Sequence, residues 1–198
     1  MNTLAADIEK QVKTARHVPG EPGVWIFILG DMAVFALFFA VFMFYRGQDT
    51  ALYQQSQALL NANYGAFNTL LLLTSSWFVV LGVNAARRNA TKAAPALFAL
   101  AFACGAGFAV TKVIEYAEKA EAGIGLTSND FFMYYYILTG LHFLHVLIGM
   151  ILLVVLGVIA RRGINKPGDL AVIEGGASYW HMVDVLWIIL FPLLYLMK

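Results

Sequence analysis

VWIFILGDMAVFALFFAVFMFY, residues 24–45, decides the fold. As a helix rising about 1.5 Å per residue, its roughly 22 residues cover about 33 Å, enough to cross a hydrocarbon core of about 30 Å. It carries one charge, Asp31, about seven residues and so roughly 10 Å below the surface at which the helix enters. An isolated carboxylate at that depth costs about 2.5–3.5 kcal/mol on insertion scales. Asp31 is therefore expected to be neutral, paired or turned toward protein. Snorkelling to the nearby interface is the alternative, and its short side chain reaches poorly.

The rest of the chain has the same character. Of its 198 residues, 61% are hydrophobic and 13% charged, and the mean hydropathy is +0.73. Soluble domains are about 45–50% apolar and about 25% charged, so this is the composition of an integral membrane protein. A net charge of +1 argues against a nucleic-acid partner. The single cysteine, Cys104, lies in an apolar run and excludes an intrachain disulfide. The first apolar run is too long for the core of a cleavable signal and has no small-residue cleavage site after it.

Four more apolar runs follow, so spans are expected at about 24–45, 66–86, 94–117, 131–160 and 175–197. Residues 1–23 carry Lys10, Lys13, Arg16 and His17 and read as a short amphipathic surface helix, broken by Pro19-Gly20-Glu21-Pro22-Gly23. Glu21 falls where a helix dipole favours an anion. Pro95 stands near the start of span three, and Gly105 and Gly107 open that span to close approach by a neighbour. Tyr134, Tyr135 and Tyr136 mark an interfacial end of span four, and Pro192 predicts a kink in span five. Basic residues gather in the N-terminal segment and in the loops Arg87, Arg88, Lys92 and Arg161, Arg162, Lys166. Arg46, Lys112, Lys119 and Lys198 fall on the other side. The positive-inside rule thus predicts a cytoplasmic N-terminus and a periplasmic C-terminus. The expected architecture is all-α: a five-transmembrane-helix bundle over residues 24–198 behind a cytoplasmic segment, residues 1–23.

Depth then sorts the intramembrane polar residues. With span five starting near residue 175, His181 and Asp184 lie roughly 6–10 Å deep, level with Asp31 and on a shared helix face. A self-neutralising Asp31–His181–Asp184 cluster is the expectation; an interfacial His181–Asp184 cap is the alternative. Toward the other side, His142 and His145 share a face of span four, and Glu115 on span three stands at a comparable height. Glu115 pairs either with these histidines or with Lys112, three residues before it. The His-x-x-His spacing is a weak metal signal. No haem-attachment CxxCH, Ser/His/Asp arrangement, phosphate-cradling glycine loop or HExxH is present.

WIFILGD (25–31), Ile114-Glu115-Tyr116, GLHFLHVLIG (140–149) and YWHMVDVLW (179–187) resemble subunit III of haem-copper respiratory oxidases. The resemblance runs from about residue 20 to 197. Five spans rather than seven resemble the shorter bacterial forms. EPGVW (21–25), NTLLLLTSSWFVV (68–80) and the FPLLYL of residues 191–196 look most like the NorE-type branch associated with nitric oxide reductase. The resemblance implies a non-redox subunit of the bacterial cytoplasmic (inner) membrane. It would pack on catalytic subunit I, bind phospholipid between its helices and help sustain proton uptake, with haem and copper only in the partner. Four histidines are in any case too few for a haem-copper centre. Asp31 occupies a position where the family usually has glutamate. Asp31, Glu115, His142, His145, His181 and Asp184 are then structural, lipid-linked or proton-linked groups rather than ligands. A free-standing proton-linked transporter or accessory factor is the competing class, and five spans without an inverted repeat weigh against it.

Overall fold

The computed structural model describes residues 20, 22–166 and 168–197. The expected N-terminal surface helix and the dipole role of Glu21 lie outside the described residues. The chain forms α1 (Pro22–Gln48), α2 (Thr50–Ala58), α3 (Ala62–Arg87), α4 (Ala93–Glu121), α5 (Asp130–Arg162) and α6 (Asp169–Phe191), closed by a π-helical turn, Pro192–Leu196. No strand occurs among the described residues. Among the described residues, five helices are long and apolar enough to cross a membrane: α1, α3, α4, α5, and α6 with its closing turn. All five expected spans therefore stand as helices; the first four extend past their expected bounds at both ends, and the last runs over 169–196 where 175–197 is expected. The 33 residues of α5 cover about 50 Å, well beyond the hydrocarbon core.

Short polar signals set the ends. Asn129 caps α5 by accepting the Phe132 N–H at 2.9 Å, and Asn61 caps α3 by accepting that of Asn63 at 3.0 Å. The segment after Tyr45 departs from the expected polar loop, because Asp49 accepts the Leu52 N–H at 3.0 Å and starts α2. Tyr53 and Ser56 on α2 are buried, so this short helix lids one end of the bundle. Burial pushes the Tyr53 phenol up to about 12. At the other end, Asn89 accepts the Ile164 N–H at 3.0 Å and ties two basic loops together. Gly163 beside it has φ +82°, a left-handed conformation that favours glycine. At Pro192, where a kink is expected, the α-helix passes into a π-helical turn, and the Pro192 carbonyl accepts the Met197 N–H at 3.0 Å across it.

α3, α4, α5 and α6 close a ring in that order, with α6 returning to α3, whereas α1 leans mainly on α6 and less on α5. Lipid tails are as apolar as leucine, so close fit rather than water exclusion must hold such a ring. Trp180 shows the fit. A Cβ at Gly149 would come within 2.6 Å of its ring, and one at Gly105 within 2.9 Å. Both glycines exist so that one indole fits between α4 and α5 on its way from α6. Only 17% of the apolar window of α1 is buried, against 56% for the last span.

Candidate functional site

Among the described residues, two ion pairs lie within the spans away from the helix ends. The first is Lys112–Glu115 on α4, whose side chains are 0% and 1% exposed, with Nζ and Oε2 2.9 Å apart. A fully buried ion pair holds only if its remaining hydrogen-bonding capacity is met. Here it is met by two tyrosines. Lys112 Nζ donates to Glu115, to the Tyr195 hydroxyl at 2.9 Å and to the Tyr135 hydroxyl at 3.2 Å, using all three ammonium protons. Tyr195 donates in turn to Glu115 Oε1 at 2.6 Å. The rings of Tyr116, Tyr135, Trp187 and Tyr195 stand 5.0–5.6 Å from the ammonium, within cation–π range. Of the two partners the sequence leaves open for Glu115, the structure brings Lys112 to it and neither histidine.

The second pair joins α1 to α5. His145 Nε2 lies 2.8 Å from Asp31 Oδ2, with the side chains 13% and 18% exposed. The contact is an ion pair rather than an aligned hydrogen bond, since Oδ2 receives no in-line N–H. The other ring nitrogen, Nδ1, lies 2.7 Å from the Leu141 carbonyl, which can only accept, so Nδ1 carries a proton. The Phe35 ring meets the imidazole edge-on at 5.5 Å.

The expected Asp31–His181–Asp184 cluster does not form. α6 begins at Asp169, so Asp184 stands about 22 Å along the helix, at mid-bundle rather than 6–10 Å deep. The face also differs. Tyr179 turns toward α1 and α5, stacking on Phe27 at 6.2 Å and donating to the His145 carbonyl at 3.4 Å. His181, two residues and about 200° further round, faces α3 instead. Its Nδ1 lies 2.5 Å from the Ser76 hydroxyl. Asp184 is 6% exposed, and its Oδ1 has no hydrogen-bond partner among the described residues. The alternative interfacial cap fails for the same reason of depth. The helix ends are held by two acids the sequence reading passed over. Glu174 takes a two-pronged contact from Arg87 (3.1 and 2.9 Å), and Asp169 takes Arg162 at 2.6 Å. Their signal was position: both fall in the first turns of α6, beside basic loops.

His142 is fully buried between the Trp187 ring at 5.2 Å and the edge of Phe108 at 5.6 Å. Neither of its ring nitrogens has a partner among the described residues. Among those residues no three His, Cys, Asp or Glu side chains gather as a metal site. Between α1, α5 and α6 runs an apolar cleft of about 530 Å³, lined by Val24, Phe27, Leu152, Val172 and Tyr179 among others. Asp31 lies one turn beyond Phe27 and His145 one turn before Ile148, so the Asp31–His145 pair stands one turn past the residues that line that cleft.

Residues 14–198 match the family described as Cytochrome c oxidase subunit III. The chain is 33% identical to a cytochrome c oxidase subunit 3 of Synechocystis sp. over 180 residues, 88% of this chain and 74% of that one. It is 32% identical to that of Thermostichus vulcanus, over 88% of this chain and 86% of the other. A quinol oxidase subunit 3 of Bacillus subtilis is 30% identical, over 88% and 85%. A match along nearly the whole chain, to relatives of both oxidase kinds, shows that the protein belongs to the cytochrome c oxidase subunit III family of the haem-copper oxidases.

Proposed function

We propose that this chain is a non-redox subunit III that seats on catalytic subunit I in the bacterial inner membrane and holds phospholipid against it. The observation that carries the reading is the cleft: an apolar groove between a loosely attached α1 and the ring, with the Asp31–His145 pair one turn past its lining. Its size and lining suit acyl chains. The basic ends of α3 and α5, Arg87, Arg88, Arg161 and Arg162, supply the charge that anionic headgroups seek and support a cytoplasmic placing for that face. The C-terminus then faces the periplasm. Haem and copper belong to the partner in this reading.

Within the family, the stretches at 21–25, 68–80 and 191–196 favour the NorE-type branch that accompanies nitric oxide reductase. Affinity purification of the chain from native membranes in mild detergent, with mass spectrometry and a haem spectrum, tests both levels. Equimolar recovery of a haem-copper subunit I, with phospholipid retained, is expected. A nitric oxide reductase catalytic subunit in that fraction supports the branch, and an oxygen reductase overturns it. A chain that purifies alone, or that itself carries stoichiometric haem, overturns the wider reading.

A further inference from the structure

The ring between α3, α5 and α6 contains polar atoms that the two ion pairs do not use. Asp184 Oδ1, both amide atoms of Asn68 and both ring nitrogens of His142 have no protein partner among the described residues. Asn68 and His142 are 0% exposed and Asp184 is 6% exposed. Buried polar groups are nearly always satisfied by protein or by ordered water. Five such atoms within one small bundle call for a single explanation.

Their placing is orderly. Arg87–Glu174, Ser76–His181 and Thr69–Trp187 contacts set α6 antiparallel to α3, so Glu174, Ser178, His181 and Asp184 form a stripe descending toward Trp187 along α3. The Ser75–Ala101 hydrogen bond and the Leu71–Gly107 approach set α3 against α4 and bring Asn68 to the level of Phe108. Phe108 packs on both Trp187 and His142, so Asn68 and His142 belong to one layer, immediately below Asp184. The stripe opens at its upper end into a recess of about 180 Å³, lined by Asn84, Arg87, Glu174, Ser178 and His181 together with Val80 and Val83, and large enough to hold water. At its lower end the layer meets the Lys112 ammonium, which contacts Trp187 and has no proton left to donate.

We propose that a blind-ended file of internal water enters at the Arg87–Glu174 recess, passes Asp184 and ends on Asn68 and His142. The lysine closes it, because its three donors are all committed elsewhere. The file hydrates the core from one face and does not conduct to the other. This separates it from the transporter reading, and it does not depend on which partner the chain binds.

The test uses the full chain in lipid bilayers, labelled with ¹⁵N and ¹³C, and solid-state NMR in which polarisation starts on water protons. Transfer to the Asp184 carboxyl, the Asn68 amide and the His142 ring is expected. The variant Ser178→Leu, which plugs the recess, should cut all three several-fold and leave Gln57, beside a separate recess at the opposite end, unchanged. Absence of transfer in the parent chain means a dry core and overturns the proposal without any variant. Transfer unchanged by a folded Ser178→Leu chain overturns the route of entry. Proton flux through the chain alone in liposomes overturns the blind end.

Discussion

Lys112–Glu115 and Asp31–His145 are both acid–base pairs inside the spans, and they are built on opposite principles. The first is local, three residues apart on one helix, and has no exposed surface. The second is long-range, joining two helices, and its groups are 13% and 18% exposed one turn past the lining of a cleft. The sealed pair satisfies every donor of its cation with oxygen and surrounds it with aromatic rings. The cleft pair satisfies one ring nitrogen with a backbone carbonyl and sets the other 2.8 Å from the carboxylate. A sealed pair therefore acts as a fixed joint within the ring. A cleft pair fastens the least buried helix and stands one turn past the lining of the groove.

The comparison is broken most severely at Glu115. Glu115→Ala leaves a cation buried without its counterion and should cost about 3–5 kcal/mol, read as a large fall in Tm in mild detergent or failure to assemble. The double variant Lys112→Met with Glu115→Leu should recover most of that loss, because removing both charges also removes their desolvation cost. A double variant as unstable as the single would mean that the joint depends on charge itself.

Tyr195→Phe deletes one hydroxyl that both donates to Glu115 and accepts from Lys112. Hydrogen bonds to charged groups carry about 1.5–3 kcal/mol, and thermal unfolding should show a loss of that order. Asp31→Ala should cost less, about 1–2 kcal/mol, since His145 keeps its bond to Leu141. Its signature is local: faster hydrogen exchange in α1 with α3–α6 unchanged. Equal exchange in all helices would show that the cleft pair is a joint of the same kind as the sealed one.

The smallest effect belongs to the helix ends. Arg162→Ala should change stability by no more than about 1 kcal/mol, because the arginine is 40% exposed. Asp169 also keeps the Asn165 and Lys166 backbone donors at 3.1 and 2.9 Å. A loss several times larger in a denaturation curve would mark that end as part of the core.

Hydropathy and axial rise made the five spans legible, and i,i+3 spacing put Lys112 within reach of Glu115. Asp31 was legible as a charge that must be met, and His145 stood among the candidates. Its true mate was missed because depth is a distance along an axis, whereas meeting also requires a direction around it. Tyr179 and His181 are neighbours in the sequence and face different helices. In a span apolar all round, lipid-facing and protein-facing side chains are chemically alike, so nothing in the sequence marks the inward face. Tyr135 and Tyr195 were hidden for another reason. Tyrosines near span ends read as interfacial anchors, and only the fold shows their hydroxyls turned inward onto an ion pair.

The Tyr195 contact reaches back across 80 residues to Glu115. During synthesis, α4 therefore enters the membrane well before the hydroxyl that completes its charged cluster has been made. Placing lysine and glutamate one turn apart on the same helix lets α4 carry its own neutralisation through insertion, with nothing borrowed from downstream. The π-helical turn then delivers Tyr195 as a late clasp. Its closure depends on the rotation of α6, since only one face of that helix and its closing turn brings the Tyr195 hydroxyl onto Glu115 and Lys112.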